Sequence, residues 1–79
     1  ASVRYSRILI LQEKYNEAEK FIKSVLDFNN NALLVEMLGD ISYIGSDVKK
    51  AKQYYETCLM LEITPNNRKI IENKLNSIQ

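Results

Sequence analysis

The chain contains few residues that could carry out chemistry. It has no histidine, so metal sites and general-base arrangements lack their commonest member. Its one cysteine, Cys58, falls on the apolar stripe of a predicted helix with no histidine to activate it, so we expect it to pack in the core. Glu36 and Asp40 share a helix face because they are four residues apart, but two acids without a pocket are seldom catalytic. We therefore expect no enzymatic activity, no cofactor and no metal site.

Composition points to one small folded domain that covers all 79 residues. The chain is 46% hydrophobic and 27% charged, which is ordinary for a soluble globular protein. A net charge of +1 gives no basic excess of the kind that nucleic-acid binding needs. No stretch approaches ~18 consecutive apolar residues, so nothing in the sequence spans a membrane.

The elements that must position any site are helices. Apolar residues at spacings of three and four predict five of them, over about residues 2–12, 15–28, 32–44, 48–62 and 65–78. Asn29, Asn30 and Asn31 are expected to break the second helix. Asp47 or Ser46 is placed to cap the fourth. Thr64 and Pro65 together read as the cap and first residue of the last helix.

The sequence matches itself at an offset of 33 residues. Ile8 aligns with Ile41, Ala18 with Ala51 and Leu26 with Leu59. A period of this length is typical of stacked helical repeats, in which one unit cannot bury its apolar face alone. We predict an all-α, right-handed helical-hairpin solenoid with repeat one over residues 1–31, repeat two over 32–64 and a capping helix over 65–78. Repeat proteins of this kind bind partners, so binding becomes the expected function.

The first helix is apolar on nearly all sides, as its segment Ile8-Leu9-Ile10-Leu11 shows. A helix of this kind is usually packed against neighbours on more than one face. Two explanations remain open, and they are compatible. An earlier helix has been removed at the N-terminus, or the surplus apolar face forms a homodimer.

Repeat two resembles a tetratricopeptide repeat. Leu38-Gly39 matches the leucine-glycine pair of the first repeat helix, where the missing side chain allows the paired helix to approach closely. The segment from Gly45 to Ala51 matches the turn motif, and Tyr55 is the aromatic residue that follows. The pattern departs at Ser42, where the family has an aromatic residue, and Pro65 comes about two residues late. The resemblance implies a helical protein-interaction module.

A narrower resemblance covers about residues 6–78. The two units, the late Thr64-Pro65 and the short final helix are similar to the C-terminal end of the bacterial ancillary Sec translocon subunit family. That likeness implies a non-enzymatic domain held in the periplasm by an N-terminal inner-membrane helix. It also implies protein partners: the translocon, periplasmic chaperones or unfolded emerging chains. The rival is a cytoplasmic adaptor of the same repeat class that scaffolds a signalling or assembly complex.

In this repeat class the first helix of each unit lines a concave groove. The repeat register then predicts a partner-binding face made of Arg7, Ile10, Leu33, Glu36, Asp40 and Tyr43, with Val3 beside them. Arg7 and Asp40 occupy equivalent positions and can pair across the groove. Otherwise the acids are solvated or face the ligand, where they would repel a carboxylate and favour a cationic or apolar extended segment. Tyr43 either offers apolar contact to a partner or packs under the cap helix.

Overall fold

The computed structural model describes residues 2–26 and 31–78, and within them the regular secondary structure is all helical, with no strand. The helices are α1 (Ser2–Leu11), α2 (Tyr15–Leu26), α3 (Ala32–Ile44), α4 (Val48–Met60) and α5 (Pro65–Ile78). The predicted all-α class is confirmed. α1 ends one residue and α4 two residues earlier than the sequence predicted. The expected end of α2 at Phe28 and the break at Asn29 and Asn30 lie outside the described residues.

The α1–α2 and α3–α4 turns have the same hydrogen bonds, 33 residues apart. After α1, the amides of Glu13 and Lys14 donate to the carbonyls of Ile10 and Leu9, both at 2.9 Å. After α3, the amides of Ser46 and Asp47 donate to the carbonyls of Tyr43 and Ser42, at 3.0 and 2.9 Å. Glu13 and Ser46 both adopt left-handed backbone, with φ of 60° and 67°. This is the Schellman ending, in which glycine usually occupies that position.

Three helices begin at side-chain caps. Asn31 accepts from the Leu33 amide at 2.9 Å ahead of α3. Asp47 accepts from the Lys50 amide at 3.2 Å ahead of α4, which decides between the two predicted caps. Thr64 accepts from the Asn67 amide at 3.1 Å, as predicted for α5. Each cap satisfies an amide that has no partner within its helix.

The core consists of two clusters with α3 in the middle. One lies among α1, α2 and α3 and includes Leu9, Ile22 and Leu38. The other joins α3 to α4 and α5 and includes Cys58 and Ile71. α3 therefore packs on both sides, and seven of its residues are buried: Leu34, Val35, Met37, Leu38, Gly39, Ile41 and Ser42. A helix buried on two faces is the expected centre of a stacked repeat.

The apolar residues of α5 lie on its inner side, as their spacing predicted. Ile71 is fully buried, while Leu75 and Ile78 are half-buried against the second cluster. The outer side of the helix exposes polar residues: Arg68, Lys69, Glu72, Asn73 and Asn76. α5 thus covers the end of the stack and turns a polar face outward. Across residues 2–26 and 31–78, no helix combines the length and the apolar character needed to cross a membrane.

Candidate functional site: the concave groove

An open groove of about 250 Å³ lies where α1, α3 and α5 meet. Five of the six residues predicted for the concave face line it, together with Met37 and Lys74. The predicted five are Arg7, Ile10, Leu33, Glu36 and Asp40. The repeat register therefore predicted that these first-helix residues lie together, and their role in binding remains a prediction. Val3, predicted beside them, packs half-buried against the first core cluster instead.

Tyr43 lies in a second, adjoining cavity of about 230 Å³. Its neighbours there include Tyr55 and the cap-helix residues Ser77 and Ile78. The side chain is 51% exposed. Tyr43 thus lies beside the cap helix and is still half exposed to solvent. Its contact with a partner stays a prediction. We use "groove" for the α1–α3–α5 cavity and "side cavity" for the one that contains Tyr43.

Lys74 joins the two cavities and holds both groove acids. Its Nζ donates to Glu36 Oε2 at 2.5 Å and to the two Asp40 carboxylate oxygens at 3.0 and 3.2 Å. The Glu36 side chain is only 15% exposed, whereas those of Asp40 and Lys74 are about a third exposed. The two acids therefore do not stand free in the groove. Lys74 offsets one of the two negative charges. The expectation that the acids would repel a carboxylate ligand stays a prediction.

The pairing of Arg7 with Asp40, one of the alternatives that the sequence left open, does not form. Both residues are described and both line the groove, yet the ion pairs formed by Asp40 lead to Lys74. Lys74 reaches Asp40 from the packed cap helix, whereas Arg7 is an exposed residue of α1. The register identified equivalent positions on neighbouring repeats, but it gave no information on a competing side chain from α5.

Tyr55, a buried residue of α4, contacts the same cluster. Its hydroxyl donates to Asp40 Oδ1, and its ring lies 5.7 Å from Lys74 Nζ, within range of a cation–π contact. Burial, followed by the hydrogen bond to Asp40, raises the pKa of Tyr55 above its ordinary value. Burial by itself would lower the pKa of Lys74, but its hydrogen bonds to Glu36 and Asp40 outweigh that effect and leave the pKa raised. At neutral pH the cluster is therefore a protonated tyrosine and an ammonium held by acids.

Gly39 allows Tyr55 to occupy this place. A Cβ on Gly39 would lie 2.5 Å from Tyr55 Cε1 and 2.8 Å from Cδ1, closer than real Cβ contacts. The Tyr55 ring is 2% exposed and cannot move freely. The predicted reason for glycine, close approach of the paired helix, is the one that the structure shows.

Cys58 packs in the second core cluster, as predicted. It has no exposed surface, and its thiol lies 3.4 Å from the Ala32 carbonyl oxygen, to which it donates. Burial, with a smaller contribution from Glu36, raises the pKa of Cys58 to about 12. A thiol of this kind stays protonated at neutral pH and is a poor nucleophile.

The cluster of Glu36, Asp40, Tyr55 and Lys74 is joined by hydrogen bonds and ion pairs, in which one ammonium serves two carboxylates. Every buried side-chain nitrogen and oxygen in the described part of the chain has a partner. Within residues 2–26 and 31–78, no three histidine, cysteine or acidic side chains are grouped to hold a metal ion. The arrangement can fix α5 on α3 and shape a groove, and it offers no activated nucleophile.

Sequence reasoning overlooked Lys74, although a signal was available. Lys74 comes three residues after Ile71 and four before Ile78, so it lies on the apolar side of α5 and not on its polar side. A lysine on a buried helix face usually has an acidic partner. Glu36 and Asp40 were the acidic pair available to it, although the repeat register pointed Asp40 towards Arg7.

In the comparison with protein families, the model of the tetratricopeptide repeat-like domain matches residues 1–79. Comparison with curated proteins and with solved structures gives no match.

Proposed function

The chain belongs to the tetratricopeptide repeat-like domain family, and we propose that it is a non-enzymatic module that binds an extended polypeptide segment in its groove. Domains of this family generally bind other proteins. The observation that carries the proposal is the convergence of the predicted first-helix residues on one open groove. An extended segment can follow such a groove and contact α1, α3 and α5 in turn.

The charges in the groove favour an apolar segment over a strongly charged one. Glu36 and Asp40 are paired with Lys74, and Arg7 adds the fourth charge, so these four side chains sum to zero. The remaining surface that a partner can contact is apolar. In the groove, Leu33 is 37% exposed and Ile10 is partly buried. Tyr43, which is 51% exposed, extends this apolar surface into the side cavity. Contacts of this type tolerate many sequences, because apolar burial is not directional.

The cellular role that fits this chemistry best is that of an accessory factor of the Sec translocon. The support is the resemblance over residues 6–78 together with a groove suited to unfolded chains. In this role the domain faces the periplasm from an inner-membrane anchor and receives translocon subunits, chaperones or emerging polypeptides. The alternative is a cytoplasmic adaptor that scaffolds a complex, and it is favoured by the wide use of these repeats for unrelated partners.

Peptide binding tests the groove directly. The probe is a short fluorescent peptide with leucines alternating with serines, and its control has asparagine in place of each leucine. We expect the anisotropy of the leucine peptide to rise and saturate as protein is added. Leu33→Ala should weaken this binding, because Leu33 lines the groove and is 37% exposed. Met60→Ala is the matched control, since Met60 is 86% exposed and lines neither the groove nor the side cavity. Equal binding by both variants, or by both peptides, would reject the apolar groove.

The cellular role needs a separate test in bacteria. A photo-reactive amino acid at Ile10 of the native protein should cross-link to the translocon or to a chain in transit. The same amino acid at Lys52, which is exposed on α4, serves as the control. Cross-links at Ile10 to a cytoplasmic complex alone would support the adaptor instead. Because the peptide assay does not depend on location, the two proposals can fail independently.

A further inference from the structure

α1 exposes an apolar stripe, whereas two of the three equivalent positions on α3 are buried. Tyr5, Ile8 and Leu11 are 49%, 44% and 78% exposed. The residues 33 positions later on α3 are Leu38, Ile41 and Ile44. Leu38 and Ile41 are only 3% and 8% exposed, because α3 packs there against the preceding repeat, while Ile44 remains exposed at 49%. The α1 stripe is therefore equivalent to the surface through which α3 packs on the preceding repeat, and it is exposed in the described part of the chain.

The stripe is symmetric about Ile8. At 100° per residue, Tyr5 and Leu11 lie on opposite sides of Ile8, and so do Arg4 and Gln12. A two-fold axis beside Ile8 would place the Arg4 and Tyr5 end of one helix against the Leu11 and Gln12 end of an antiparallel copy. Isologous contacts of this kind are self-complementary.

Charge favours the antiparallel arrangement over a parallel one. Arg4 is the only charged residue on the stripe, and an antiparallel copy brings it towards Gln12 and the exposed Glu13. A parallel copy would place the two Arg4 side chains at the same level, where like charges repel.

The opposite end of the molecule does not offer a suitable partner surface. A head-to-tail copy would have to set the α1 stripe on α5, whose outer side exposes charged and amide side chains: Arg68, Lys69, Glu72, Asn73 and Asn76. Burying these groups without partners costs free energy. A closed two-fold contact buries the apolar stripe on both copies and leaves α5 in water.

We propose that the chain forms an antiparallel two-fold dimer through α1, with Ile8 at the centre. α1 has ten residues and is therefore about 15 Å long, so the contact is at the small end of specific interfaces. We expect reversible association, with a dissociation constant in the micromolar to millimolar range. This proposal does not depend on the groove, which lies on another side of α1.

Sedimentation velocity over a concentration series tests the association. Wild type should shift from monomer to dimer as concentration rises, and Ile8→Glu should raise the dissociation constant by about tenfold or more, because it opposes two carboxylates at the axis. Ile70→Glu is the matched control, since Ile70 is 42% exposed on α5, and it should dimerise like wild type. Circular dichroism checks that both variants stay folded. A wild type that stays monomeric to millimolar concentration, or equal loss in both variants, overturns the proposal.

Cysteine cross-linking tests the position of the axis. With Cys58→Ala as background, Ile8→Cys should form a disulfide-linked dimer under mild oxidation, since the two thiols meet at the axis. Leu11→Cys should react much more slowly, because each Leu11 faces the opposite end of the other helix. Faster linkage through Leu11→Cys would contradict the antiparallel register, and an upstream or foreign helix covering α1 would abolish linkage at both positions.

Discussion

Replacing Gly39 with alanine tests how closely α3 and α4 are packed. The new Cβ would lie 2.5 Å from Tyr55 Cε1, so the ring or the helix must move. The ring is held by its hydroxyl on Asp40 and by burial. Moving it disturbs the cluster with Lys74 as well as the core.

The sign of the effect follows from comparing two magnitudes. Alanine within a helix is favoured over glycine by about 0.5–1 kcal/mol. Overpacking a core costs about 1–3 kcal/mol, and weakening the hydrogen bond between Tyr55 and Asp40 adds about 1 kcal/mol. We expect Gly39→Ala to lower the free energy of unfolding by about 1–3 kcal/mol. The steric cost exceeds the gain in helix propensity.

Gly45→Ala is the matched control within the same chain. A Cβ there would meet the Ile41 carbonyl oxygen at 3.5 Å, an ordinary contact, and Gly45 has a negative φ of −78°. We expect it to be neutral or to stabilise by up to about 1 kcal/mol. In urea unfolding followed by circular dichroism, the midpoint of Gly39→Ala should be lower than that of wild type by about 1 M or more. Equal or higher stability of Gly39→Ala would refute the reasoning.

Repeat one suggests a compensating pair. Ser6 and Ile22 stand where repeat two has Gly39 and Tyr55, and both are fully buried. Gly39→Ser alone should destabilise much as alanine does. Adding Tyr55→Ile should restore part of the loss, because the double variant reproduces a pair that already packs in this fold. No recovery in the double variant would show that the ring is not the obstacle.

Three further predictions concern the turn, the ion cluster and alkaline pH. Ser46→Gly should raise the free energy of unfolding by about 1 kcal/mol, as measured by urea unfolding, because Ser46 has φ of 67°. Lys74→Met should lower it by about 1–2 kcal/mol, since Glu36 and Asp40 lose their cation while partial exposure limits the cost. Raising the pH from the ordinary value of a thiol, 9.0, towards about 12 should destabilise the fold because the folded pKa of Cys58 is raised. Cys58→Ala should flatten that part of the stability profile, and an unchanged slope would contradict the assigned burial effect.

Much of the fold was predictable because it depends on local spacing. The 33-residue offset and the apolar stripes predicted five helices, and the structure confirms them. The left-handed turn residues were not predictable, since Glu13 and Ser46 are not the residues that usually adopt that backbone. Hydrogen bonds of the whole turn fix their conformation, and no single residue type reveals them.

The site was predictable only in part, for a physical reason. The 33-residue offset places Arg7 and Asp40 at equivalent positions on neighbouring repeats. It therefore predicts which side chains share a face. Which residue pairs with Asp40 also depends on side chains from helices outside the two repeats. Lys74 comes from the cap helix, which lies outside the repeat, and the offset therefore carried no information about it.

The most direct test of the proposed function is a nuclear magnetic resonance titration of the isotope-labelled chain with the leucine peptide. Binding in the groove predicts saturable shifts of the backbone amides of Ile10, Leu33 and Asp40, with little change at Lys20 and Lys52 on α2 and α4. The asparagine peptide should leave all five amides unchanged. Saturable shifts confined to α2 and α4, or no shifts at all, would contradict the groove as the binding site.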